Sequence, residues 1–219
     1  MTKHASQIIE KMKTSIYSEL SFDFAFKLTN ESDRGAILIG ASKVELYLET
    51  LIREILPKNT NNYTGRLLNY PGPLSSFSGK IELCFAFRIF DEKVYHSLNL
   101  LRKIRNNAAH SDQVFNLKNQ STELNEIYNF EDGFSEVVHE VSFNNLLNWK
   151  RNKAKNILHE NNITNIDFEE LWKERLPNPE LDDTFQEHLI IWKLAHGLTL
   201  LCLKIEVIQD EWVMKLKTN

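Results

Sequence analysis

The stretch Arg102-Lys103-Ile104-Arg105-Asn106-Asn107-Ala108-Ala109-His110 closes a periodic run that begins near Asp91. With a helical advance of about 100° per residue from Arg102, Asn106 falls at about 40°, Asn99 at about 60°, His110 at about 80° and Lys103 at about 100°. Val94, Leu98, Leu101, Ile104 and Ala108 fill the opposite arc, from about 200° to about 320°. One basic face and one apolar face predict an amphipathic helix that ends near His110 and packs on other helices. Arg105, at about 300°, falls inside the apolar arc. A charge buried there without a partner is costly, so Arg105 needs a carboxylate (Glu82 or Asp33), a ligand or an interface. Asn106 and Asn107 are poor helix formers, which suggests that their amides are used.

Working outward, the other long periodic segments also have the helical period, and the sequence predicts an all-α bundle. A first helix is expected over 4–20, followed by the aromatic stretch Phe22, Phe24, Phe26. Ser32 reads as the N-cap of a long helix to about Leu56, with an apolar seam through Ile37, Ala41, Val44, Leu48, Leu51 and Ile55. Pro57 to Ser78 reads as a loop, and a helix apolar almost all round runs from about Gly79 to Phe90. A polar stretch over 112–125 and short aromatic elements through Val141 follow. Ser142 is a candidate cap for a helix to about His159, and Asp167 for another to Leu176. Asp183 with Gln186 makes a capping box before the most apolar segment, Leu189 to Ile208. Lys193, Gly197 and Lys204 share one narrow stripe of that segment, which therefore reads as a buried core helix and not a membrane span.

Composition fits a globular protein, with 42% hydrophobic and 26% charged residues among 219. The net charge of −4 argues against a dedicated DNA-binding protein. Residues 1–119 carry 16 Lys and Arg against 12 Asp and Glu, whereas 120–219 carry 10 against 18, so an anionic partner should meet the N-terminal half. Cys84 and Cys202 lie among apolar residues and read as buried free thiols. With no signal-peptide core at Met1-Thr2-Lys3-His4-Ala5-Ser6-Gln7, a cytoplasmic location and no membrane association are expected. The seven His residues show no metal-ligand spacing, and there is no Gly-rich phosphate loop, so neither metal nor other cofactor is expected. Asp33-Arg34 reads as a cap and a structural ion pair. Residues 154–175 have a loose helix-turn-helix look beside a basic cluster (Lys150, Arg151, Lys153, Lys155). Asp167, Glu169, Glu170 and Glu174 on the second helix would repel phosphates, which makes direct DNA binding doubtful.

Arg105-Asn106 followed by His110 resembles the Arg-x4–6-His signature of the HEPN superfamily. Three ordered segments also look like the mannitol operon repressor family: Ser32-Asp33-Arg34-Gly35-Ala36-Ile37-Leu38-Ile39-Gly40-Ala41, Gly72-Pro73-Leu74-Ser75-Ser76-Phe77-Ser78-Gly79-Lys80-Ile81-Glu82-Leu83, and Leu101 to Ser111. The resemblance covers roughly residues 28–112. It implies a HEPN-like, mannitol-repressor-like helical bundle. The whole of 1–219 is then one helical domain, with a core of about 4–118 plus 183–216 and a helical insertion of about 120–180.

The functional expectation from this resemblance is a regulatory protein that acts mainly through protein partners, without an evident DNA-binding module. The competing expectation is a HEPN-type metal-independent endoribonuclease, such as a toxin or antiviral effector. In that reading His110 serves as general base or acid, Arg105 stabilises the phosphorane charge and Asn106 orients either partner. A third is a HEPN scaffold that binds RNA or protein without cutting. Family sites of this kind lie in a cleft between two protomers, so a homodimer is expected.

Overall fold

A computed structural model describes residues 15–57, 63–163, 167–174 and 182–218. Among these residues every regular element is helical, and no strand forms. The longest helices arise where the sequence combines a cap with an unbroken apolar seam. α1 is Ser15–Thr29 and α2 is Asp33–Ile55. Ser32 caps α2, its hydroxyl accepting the Gly35 N–H, and Leu56 closes the other end. α3, Tyr63–Leu68, falls inside the segment expected as loop. α4, Phe77–Ala86, is capped by Ser76. It stops before Phe90 because Arg88 takes a left-handed φ of 55° and the Ile89 N–H turns back to the Cys84 carbonyl.

α5, Glu92–His110, is capped by Asp91, whose carboxylate accepts the Val94 N–H, and it ends at His110 as its sequence predicts. A 3₁₀ turn over Leu117–Gln120 then leads into α6, Ser121–Ile127, and a second turn over Tyr128–Phe130. α7, Phe134–Glu160, is the second longest helix. α8 is Phe168–Glu174 and α9 is Asp183–Thr218.

Three sequence expectations are corrected here. The aromatic stretch Phe22 to Phe26 lies within α1 and not after it. The N-terminal part of the helix expected over 4–20 lies outside the described residues. Ser142 is no cap: it sits fully buried inside α7, with its hydroxyl 3.3 Å from His196 Nδ1. The carboxylate that caps α9 is Asp182, which accepts the Phe185 N–H, and not Asp183.

α9 is the centre of the bundle. Its buried residues point all round the helix, from Leu189 through Ile208, because α1, α2 and α7 surround it. Phe22 of α1 packs edge-on to Trp192, with ring centroids 5.2 Å apart, and Trp149 of α7 lies 6.4 Å from the same ring. The stripe of Lys193, Gly197 and Lys204 faces the segment that follows α5. Lys193 donates to Asn125, Gly197 packs against the Tyr128 ring and Lys204 pairs with Glu131. Leu117, Leu124, Ile127, Phe130, Phe134, Val138 and Leu146 belong to the same apolar cluster as α2 and α9. α5 lays its apolar face on α2 and α4, leaving the basic face and its C-terminal end outside. No described helix is long and apolar enough to cross a membrane.

Candidate functional site

The end of α5 is held by the start of α2. Arg34 donates through Nη2 to the carbonyls of Ser111 (2.9 Å) and Gln113 (2.8 Å). Asp33 Oδ2 accepts the Leu117 N–H at 2.7 Å. Asp33 is therefore not the cap of its own helix, which is Ser32, and among the described residues neither Asp33 nor Arg34 forms an ion pair. They clamp the chain that leaves His110, and this gives the Ser32-Asp33-Arg34 segment a structural purpose beside the motif.

The clamp bends residues 111–120 back along the last turn of α5 and forms an open cleft of about 490 Å³. His110, Asn106 and Asn107 supply its helical wall, and Gln113 to Asn116 with Asn119 and Gln120 supply the other. Among the described residues its polar side-chain groups are an imidazole, a hydroxyl and carboxamides, and no carboxylate lines it. His110 is exposed and Asn106 half-buried.

Arg105 is half-buried, and its Nη1 donates to Asn106 Oδ1 at 3.1 Å. Neither carboxylate expected to neutralise it does so. Glu82 accepts the phenol of Tyr95 at 2.9 Å, and Asp33 is spent on Leu117. Among the described residues Arg105 has no ion pair. Arg105 does not line the cleft, so Asn106 is the residue that links the guanidinium to the wall shared with His110. On the same helix Arg102 donates to Asn99 Oδ1, and Lys103 is exposed.

Of the three site residues the sequence singles out, the structure thus places Asn106 and His110 on one wall and attaches Arg105 behind it. Sequence reasoning missed Gln113, Asn116, Asn119 and Gln120, which it read as a polar connection. The available signal was the density of amides there, with almost no charge except Lys118. Elsewhere, Glu169 of α8 pairs with Arg151 and, at 3.0 Å, with Lys155. Lys150 lies 3.8 Å from Asp182, so the basic cluster on α7 meets acidic neighbours. Cys84 and Cys202 are free and buried, and burial pushes both thiols up to about 12. Among the described residues no three His, Cys, Asp or Glu side chains are placed to hold a metal ion. No family model, curated protein or solved structure matches the chain.

Proposed function

We propose that the cleft at the end of α5 is the working site of a HEPN-type, metal-independent endoribonuclease. The state of Arg105 carries this reading: a half-buried guanidinium bonded to a neutral amide retains an unmet demand for an anion. An RNA phosphate supplies that anion. His110 takes the proton from the 2′-OH, O2′ attacks phosphorus, and the P–O5′ bond breaks as the departing O5′ takes a proton from water, the imidazolium giving its own back to solvent. The products are a 2′,3′-cyclic phosphate and a 5′-OH. Arg105 stabilises the charge that builds on the phosphorane, and Asn106 holds the guanidinium against the cleft wall. Arg105 and His110 are about 140° apart on their helix, so two copies facing across a two-fold axis bring an Arg and a His together best. DNA lacks the 2′-OH and should survive.

Purified protein and its His110→Ala variant, incubated with total RNA in a metal chelator, test the proposal. The wild type should cut the RNA to cyclic-phosphate ends, and the variant should lose at least about a hundredfold in rate. Intact RNA in both samples, at concentrations where the protein is dimeric, rules the enzyme out. A second reading is a mannitol-repressor-like regulator that acts through a protein partner. It is favoured by the position of Arg105 outside the cleft lining, which separates the two motif residues on one protomer. The pairing of the basic cluster on α7 with Glu169 speaks against direct DNA contact in that reading.

A further inference from the structure

The amide-lined wall of the cleft carries more information than the Arg and His beside it. Asn106 Oδ1 is taken by Arg105, and Asn116 Oδ1 accepts the Lys118 N–H at 2.7 Å. Asn107, Asn119 and Gln120 make no side-chain hydrogen bond within the described residues, so each keeps a complete donor and acceptor pair. Val114, 95% exposed, and the half-buried Phe115 provide apolar surface next to them. The volume of about 490 Å³ is in the range of small-ligand clefts and admits one nucleotide.

These groups discriminate between bases. Guanine is read by Arg or Lys on O6 and N7, and cytosine by a carboxylate on its amino group. Among the described residues the cleft lining contains no Arg, Lys, Asp or Glu. A carboxamide matches adenine, donating to a ring nitrogen while accepting from N6–H. In an unpaired strand the Watson–Crick edge is free to be read the same way. Cytosine, with N3 beside its amino group, and uracil also offer one donor and one acceptor on that edge, but the larger purine gains more from stacking on the Phe115 and Val114 side. The clamp from Asp33 and Arg34 fixes the loop that carries Asn116 to Gln120, so the amides are held in place before a ligand arrives.

We propose that this cleft holds one unpaired adenine of an RNA strand, read by the carboxamides of Asn107, Asn119 and Gln120 next to the phosphate addressed by Arg105 and His110. The assignment deepens the ribonuclease reading and rests on the cleft being directed at RNA.

Fluorescence anisotropy with labelled, uncleavable 2′-O-methyl hexamers of A, C or U tests it on the full chain in chelator. Oligo(A) should bind about tenfold more tightly than the other two, and the Asn119→Ala/Gln120→Ala double variant should abolish that difference. Equal affinity for all three, or a preference for oligo(C) or oligo(U), overturns the adenine assignment. AMP is included as competitor; if it occupies the site at lower concentration than oligo(A), the ligand is a free nucleotide and the RNA assignment falls. Cleavable hexamers separate this inference from the reading beneath it. Cutting without base preference removes the adenine subsite and leaves the ribonuclease standing. Selective binding of oligo(A) with no cutting by the wild type removes the ribonuclease and leaves the subsite.

Discussion

Lys204 has no exposed surface, and an ammonium in that position is tolerated only beside a carboxylate. Glu131, itself 7% exposed, accepts its hydrogen bond. Removing one partner leaves a buried charge, whereas replacing both with apolar groups of similar volume does not. Glu131→Ala should therefore lower the unfolding free energy in urea by about 3–5 kcal/mol, and Glu131→Leu/Lys204→Met by much less. Equal losses for the two proteins would show that packing, and not charge, governs this site. The sequence identified Lys204 as an oddity in an apolar helix, but its counter-ion lies 73 residues away and leaves no local trace. Arg105 teaches the same lesson from the other side. Its expected partners, Glu82 and Asp33, accept from the Tyr95 phenol and the Leu117 N–H instead.

Helix starts that depend on adjacent residues were legible. Ser32, Ser76 and Asp91 each accept an N–H three residues on, because an N-cap bond is confined to a single turn. Of these, the sequence alone marks Ser32 and the Asp91 region as helix starts. Ser142 misled because a serine before a polar helix can equally be a buried hydrogen-bonding group, and only the approach of His196 decides that. The contact between α9 and the turn over Tyr128–Phe130 has a sharper requirement. A Cβ added at Gly197 would lie 2.2 Å from Cδ1 and Cε1 of Tyr128, whose ring is almost fully buried. Gly197→Ala should destabilise the protein by about 1–3 kcal/mol, since a rigid ring between packed helices has little room to retreat. Gly40→Ala meets only the end of Leu198, at 2.5 Å from Cδ1, and should cost clearly less. Thermal denaturation of the two variants, read by circular dichroism, checks the order. An equal fall in Tm would refute the argument from ring rigidity.

At the scale of the whole molecule, His196 couples bundle packing to pH. It is buried where α7 meets α9, with Nδ1 2.8 Å from the Trp192 carbonyl and Nε2 3.1 Å from Asn145 Nδ2. That arrangement suits a neutral ring with its proton on Nδ1. Burial holds its pKa below the ordinary value of 6.5, and the bond to Trp192 offsets this in part. His188, close to Trp149, is lowered by burial and then by Lys150. A ring depressed in the folded state takes up its proton first in the unfolded chain. Stability should thus be full above about pH 6.5 and fall as the pH drops from there toward 5. His196→Gln should be less stable at pH 7.5 and show a flatter decline, measured as urea midpoints across that range. An unchanged slope would remove His196 from the account. The sequence by itself determined the helical class, the boundaries of α2 and α5 and the basic face ending at His110, because period, caps and faces are set within a turn or two of chain. Only the tertiary structure decided that Asp33 and Arg34 fold the loop after α5 into an amide-lined cleft, that Arg105 meets no carboxylate among the described residues and that Lys204 finds Glu131. Those outcomes depend on competition among groups far apart in sequence, and proximity in space settles such a competition.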